Sequence, residues 1–288
     1  MSEAVAPRSL RRRSGTLAVI GAYFSPPTAF AYTQKIGWGI AFVLASPLVL
    51  LIGGRTGLAF TRYGYVAMLG IAAIVVVVTM ITAFRSARAV PDGAPARWYN
   101  RWYHYLWIAA ATLAFVAVMG SHRGSIFGYE PFRIPSTAMQ PTLVPGDFIV
   151  ADDRAASMAD IRRGDIVTYK PVRHPKETWI KRVIGLPGET IVVKGNGVEI
   201  DGKPLAEPWA TVREPVVEIP VPFERVVLGP DQYFLLGDNR PNSEDSRFTG
   251  PVARQAMLGK ARAIWFHWMR PAGFDPSRIT TLPSTTAR

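Results

Sequence analysis

Apolar residues run almost without interruption through three stretches in the first 120 positions, then thin into short alternating runs broken by Gly, Pro and Asp. The three stretches, about 36–53, 63–84 and 102–120, carry no charge and approach or exceed the roughly 20 residues that a helix needs to cross a bilayer. The second holds Ile74-Val75-Val76-Val77-Val78, and the first contains Pro47, which a membrane helix tolerates with a local kink. The third opens on Trp102, Tyr103, Tyr105 and Trp107, an aromatic cluster suited to a membrane–water boundary. A fourth apolar stretch, 15–34, contains Pro26-Pro27 and scattered polar residues, and reads as interfacial rather than spanning.

Beyond Ser121 the pattern becomes that of a β-rich domain. Phe148-Ile149-Val150, residues 165–169 and Ile191-Val192-Val193 read as strands. Tyr233-Phe234-Leu235-Leu236 reads as a short buried strand, and residues 260–266 as a closing one. Gly195-Asn196-Gly197 and Asp201-Gly202 carry tight-turn chemistry. The expected organisation is a cytoplasmic basic tail (1–35), a three-span anchor (36–120), an extracytoplasmic domain (121–270) and a Pro/Ser/Thr-rich, poorly ordered tail (271–288).

Charge orients this arrangement. The net charge is +12, and its cations are unevenly placed. Arg8, Arg11, Arg12, Arg13 and Lys35 precede the first span, and Arg85, Arg88, Arg97 and Arg101 lie between the second and third. Only Arg55 and Arg62 lie in the connection between the first two. The positive-inside rule puts the first two groups in the cytoplasm and everything after the third span outside. The lipid bilayer is therefore the expected partner of the basic excess. Nucleic acid is not, since no nucleic-acid motif or aromatic–basic ladder occurs. The chain has no cysteine, which excludes disulfides, thiolate catalysis and cysteine-ligated zinc.

Three segments carry chemistry. The first runs from Glu130 through Pro135-Ser136-Thr137-Ala138-Met139 to Leu143, followed by Pro145-Gly-Asp-Phe-Ile-Val150. The second runs from Arg163-Gly-Asp through Trp179-Ile-Lys-Arg-Val-Ile-Gly-Leu-Pro-Gly-Glu189. The third is Gly237-Asp-Asn-Arg-Pro-Asn-Ser-Glu-Asp-Ser-Arg247. Any one could be an ordinary turn. In this order, after a membrane anchor, they resemble the conserved boxes of bacterial type I signal peptidases, the leader peptidases of the Ser/Lys class, over most of residues 128–262. The resemblance implies transmembrane helices followed by a mainly β extracytoplasmic domain of coiled antiparallel sheets. It implies a multi-pass protein of the bacterial cytoplasmic membrane that removes signal peptides from exported preproteins after small residues of the Ala-x-Ala type. No metal or organic cofactor is implied.

Carried over position by position, the resemblance makes Lys181 the general base and Ser243 the hydroxyl that orients it. Asp245 and Arg247 become a structural ion pair, and Asp238 and Asn239 shape their loop. An amine serves as base only if burial brings its pKa down, and Lys181 lies among Trp179, Ile180, Val183 and Ile184. The four histidines show no triad-like spacing. Phe132, Ile134, Pro135, Met139, Leu143, Trp179 and Ile180 fall at substrate-binding positions, although their apolar character suits a core equally well. The extended segment 132–136 could pair with an extended substrate by strand addition.

At the family's nucleophile position stands Ala138, which has no attacking oxygen. Ser136, at the position of the oxyanion-stabilising hydroxyl, would share a strand face with it about 6–7 Å away. Three readings stay open at this level: a serine replaced to trap substrate, an enzyme in which Ser136 attacks, and an inactive signal-peptide-binding relative. A specialised pilin-type maturation peptidase shares the same boxes.

Overall fold

The computed structural model describes residues 12–195, 197–211 and 221–282. Arg8, Arg11 and Asn196 of the expected tail and hairpin lie outside them. The chain divides into two units, one of residues up to 56 with 66–127, the other of 57–65 with 128 onward.

The first unit is helical. Helices α1 (Gly15–Phe24) and α2 (Pro26–Tyr32) precede α3 (Ile36–Thr56), α4 (Gly64–Arg88) and α5 (Trp102–Ser121), and a short α6 (Arg123–Phe127) ends it. Among the described residues, the last three before α6 are the helices long and apolar enough to cross a membrane. At ~1.5 Å per residue each reaches about the ~30 Å of a hydrocarbon core. Leu44, Leu48, Ile74, Val78 and Leu113 on their outer faces are exposed. Polar groups inside them are satisfied locally: the Thr79 and Thr112 hydroxyls donate to Val75 O and Ile108 O, one turn back. Pro47 lies within an unbroken α3.

Residues 15–32 of the expected tail are helical. They form two packed helices, because Ala18, Ala22 and Ala29 are small enough to let α1 and α2 close with Phe30 on Ala83 and Ala87 of α4. The Ser14 hydroxyl caps α1 by accepting from Leu17 N, and Pro26 occupies the first turn of α2, where its missing N–H costs nothing.

The second unit is antiparallel β. Its larger sheet runs β1 (Tyr129–Arg133), β2 (Asp147–Asp152), β11 (Met257–Met269), β3 (Ile166–Tyr169), β4 (Trp179–Gly185), β9 (Gln232–Leu236) and β10 (Val252–Ala253), with β12 (Gly273–Phe274) and β13 (Thr280–Thr281) added to β11. The smaller sheet orders β7 (Lys203–Pro204), β6 (Gly197–Ile200), β5 (Thr190–Lys194) and β8 (Arg225–Val227). The strand expected to close the domain, β11, instead runs between β2 and β3. Register shifts at 261/263 and 264/266 against β2 and at 257/259 against β3 bend it and coil the sheet. Asp201 and Gly202 both have positive φ, 50° and 76°, as the β6–β7 hairpin requires.

Residues 271–282 are not a loose tail. Thr280 and Thr281 pair with Ile264 and Ala263, and Leu282 is buried with Ile134, Leu143 and Ile149. Arg278 reaches back to the Asp147 carboxylate at 2.5 Å. The segment between α3 and α4 also belongs to this unit. The Phe60 ring lies 4.8 Å beneath the Arg154 guanidinium, and Tyr65 packs at 5.5 Å on Tyr129 and 4.8 Å on Trp265.

Candidate active site

The site is assembled from β4, the end of β9 and the turn after β1. Strand β4 alternates its side chains, and Lys181 points to the same side as Trp179 and Val183. Its amine lies 5.7 Å from the Trp179 ring, and the residue is 5% exposed. Burial lowers the Lys181 pKa below that of an ordinary lysine; the Asp245 and Glu244 carboxylates pull weakly the other way. No carboxylate forms an ion pair with Lys181 among the described residues, so no close counter-charge offsets that lowering.

Arg182 pairs with Leu236 and Val183 with Leu235, the last residues of β9, and Gly237 follows directly. A Cβ on Gly237 would run into Ser243 Oγ and would lie 2.6 Å from Ala138 O. The space above Gly237 therefore holds Ser243 and the backbone of Ala138. Ser243 Oγ is buried and has no hydrogen-bond partner among the described residues.

The turn bearing Ala138 is clamped onto the loop after β9. The Asn239 N–H donates to Ala138 O at 3.1 Å, and Asn239 Nδ2 to Thr137 O at 3.0 Å. Asn242 Nδ2 donates to Thr137 Oγ1 at 2.6 Å. That loop is held from below. Asp245 accepts from Gly237 N–H and from the Arg247 guanidinium at 2.8 and 2.9 Å, while Arg247 also donates to Arg240 O. Asp238 is fixed by Arg182 through two bonds of 2.8 and 2.6 Å and by the Thr142 hydroxyl at 2.6 Å. Pro241 occupies the first turn of a 3₁₀ segment, residues 240–242, where no N–H is required.

Three further residues support the site. Arg182 is marked in the sequence only by its adjacency to Lys181, on the opposite face of β4, while Thr142 and Asn242 act through contacts 96 and 105 positions distant in the chain.

Two expectations change. Ser136 and Ala138 do not share a strand face: β1 ends at Arg133, ladder bonds persist only through Ile134, and 136–138 bend into a turn. Pro135 lacks the N–H that would continue the ladder. Of the apolar positions, Ile134, Met139 and Leu143 are core residues with at most 2% exposure. Phe132, Trp179 and Ile180 are half-buried and Pro135 is exposed, so these four retain surface. Ser136 is exposed beside them. Among the described residues, no strand other than β2 pairs with β1.

A family model described as "Signal peptidase, peptidase S26" matches residues 104–268. A signal peptidase I of Leptolyngbya laminosa is 39% identical over 147 residues, covering 47% of this chain and 68% of that one. A signal peptidase I of Pseudomonas aeruginosa is 32% identical over 192 residues, covering 50% of this chain and 67% of its own. A crystal structure of a signal peptidase I from Enterococcus faecalis V583 shares 28% identity with a TM-score of 0.31, covering 35% of this chain and 96% of that one.

Proposed function

Because the chain belongs to the signal peptidase S26 family, we propose that it is a membrane-bound signal peptidase of the Ser/Lys type, complete in binding groove and base but with Ala138 in the nucleophile slot. The observation that carries this reading is the grouping of a buried Lys181 of lowered pKa, an unpartnered Ser243 hydroxyl and the Ala138 backbone over Gly237. With a serine at 138, its hydroxyl attacks the scissile carbonyl while the neutral Lys181 amine takes the proton. Lys181 then returns that proton to the leaving amine. Ser243 orients the amine, and Ser136 donates to the oxyanion. With alanine at 138 the first bond cannot form, and the chain binds signal peptides without cutting them.

The substrate is an extended signal peptide ending in small residues, added along the free edge of β1 and residues 134–136. Phe132, Pro135, Trp179 and Ile180 line shallow pockets that admit Ala and exclude bulk. Helices α3, α4 and α5 serve as a three-span anchor in the bacterial cytoplasmic membrane, with the β domain outside. Attachment of residues 57–65 to the β unit supports this, since the first connection and the domain then share one side.

The test is preprotein cleavage in detergent by the chain as written, Ala138→Ser, Ser136→Ala and Ala138→Ser/Lys181→Ala. Cleavage only by Ala138→Ser, removed by the added Lys181→Ala, is the expected result. Activity of the chain as written that Ser136→Ala abolishes would instead make Ser136 the nucleophile. No cleavage by any form, with preprotein binding retained, would leave a binding relative without catalysis.

A further inference from the structure

The helical unit carries a feature that signal-peptide cleavage does not use. An open groove of about 540 Å³ lies between the start of α3 and the segment that precedes α5. Lys35 and Arg97 line it with Trp38 and Tyr99. Both cations are exposed, and neither has an ion-pair partner among the described residues. Within residues 12–56 and 66–127 the only carboxylate side chain is that of Asp92.

The two cations are brought together by construction, although 62 positions separate Lys35 from Arg97. Gln34 adopts a left-handed φ of 63°, and its Nε2 donates to Pro95 O at 2.8 Å. The Tyr99 hydroxyl donates to Gln34 O, and Asn100 Nδ2 donates to Ala31 O at 2.9 Å. Three hydrogen bonds thus fasten one cationic segment to the other. Two exposed cations lining one groove make a positive surface that attracts an anion. Below the groove, α3 presents exposed Ile40, Leu44 and Leu48, an apolar face leading away from the cations.

A ligand with an anionic head and apolar tails matches this sequence of surfaces. We propose that the groove binds the phosphate headgroup of an anionic phospholipid, with Lys35 and Arg97 on the phosphate, Trp38 at the interface and the acyl chains along α3. The site rests on the reading of α3–α5 as membrane spans.

The experiment uses the full chain. Retention in membranes after a carbonate wash is read first, and a chain that washes off overturns the membrane reading and the site with it. Native mass spectrometry of the detergent-purified protein then follows titration with phosphatidylglycerol or with phosphatidylcholine of the same acyl chains. Phosphatidylglycerol is expected to bind preferentially. Lys35→Gln/Arg97→Gln, which removes two direct cation–phosphate contacts, should weaken it by roughly tenfold or more. Lys35→Arg/Arg97→Lys should stay within about threefold, and Arg85→Gln/Arg88→Gln, which removes two cations outside the groove, within about twofold. Equal loss in both Gln pairs would mean diffuse charge attraction and overturn the site. So would equal binding of the two lipids, or displacement of phosphatidylglycerol by equimolar glycerol phosphate, which would make free phosphate the ligand.

Discussion

Gly237 leaves the volume of its missing side chain to Ser243, whose Oγ takes it together with Ala138 O. The glycine is thus a steric condition for bringing the orienting hydroxyl and the nucleophile slot together. Ala138 O cannot retreat easily, since it accepts the Asn239 N–H, and Ser243 Oγ is itself buried.

Gly237→Ala should therefore destabilise by ~1–3 kcal/mol, the usual cost of overpacking. In the Ala138→Ser background it should also reduce kcat far more than KM, because the displaced groups act on the reacting atoms. Thermal unfolding together with steady-state cleavage checks this. Unchanged kcat would remove Gly237 from the site.

The buried pair of Arg182 and Asp238 makes a second prediction. Their charged atoms approach to 2.6 Å with side chains 2% and 1% exposed. Asp238→Asn leaves the guanidinium in a dry site without its counter-charge and should cost about 3–5 kcal/mol. Arg182→Met/Asp238→Leu removes both charges and should cost less than either single change. A double-mutant cycle on unfolding in detergent measures the coupling. Additive losses would mean that the pair contributes nothing beyond its separate contacts.

Much of this was legible in the chain because the signals were local. The three long helices follow from uninterrupted apolar runs, and β2, β3, β5 and β9 from short runs bounded by turn residues. Lys181 and Ser243 were found through contiguous motifs. What escaped depends on long-range contacts or subtle packing. The small residues Ala18, Ala22 and Ala29 give no strong periodic signal, yet they let α1 and α2 pack. Thr142 gains its role from Asp238, 96 positions later. Residues 271–282 look loose because their Pro, Ser and Thr content hides that their partners lie on β11 and at Asp147.

Truncation after Arg270 tests that last point. It removes the β13 ladder, the Arg278–Asp147 pair and the buried Leu282 side chain, while leaving the cleavage motifs whole. The buried leucine and the broken pair together should cost at least ~3 kcal/mol. For a unit of this size that lowers Tm by about 6–12 °C. A melting temperature within a degree of the full chain would mean that residues 271–282 contribute nothing to stability.

Lys181 gives the pH prediction. Burial lowers its folded pKa below the ordinary lysine value of 10.5. Between the folded and unfolded pKa values the unfolded chain binds the extra proton, so stability contributed by this residue rises with pH across that window. Below the folded pKa the cost of a buried ammonium is felt in full. Lys181→Met, which keeps the volume and removes the charge, should therefore raise Tm at neutral pH, with the gain shrinking as pH approaches the ordinary lysine value. The same shift should govern catalysis in the Ala138→Ser form. There kcat/KM should climb with an apparent pKa below the usual lysine range, and Lys181→Arg, whose guanidinium cannot release its proton, should be inactive throughout. A rate that keeps rising up to the ordinary lysine pKa, together with no stabilisation from Lys181→Met, would mean that burial does not produce the base.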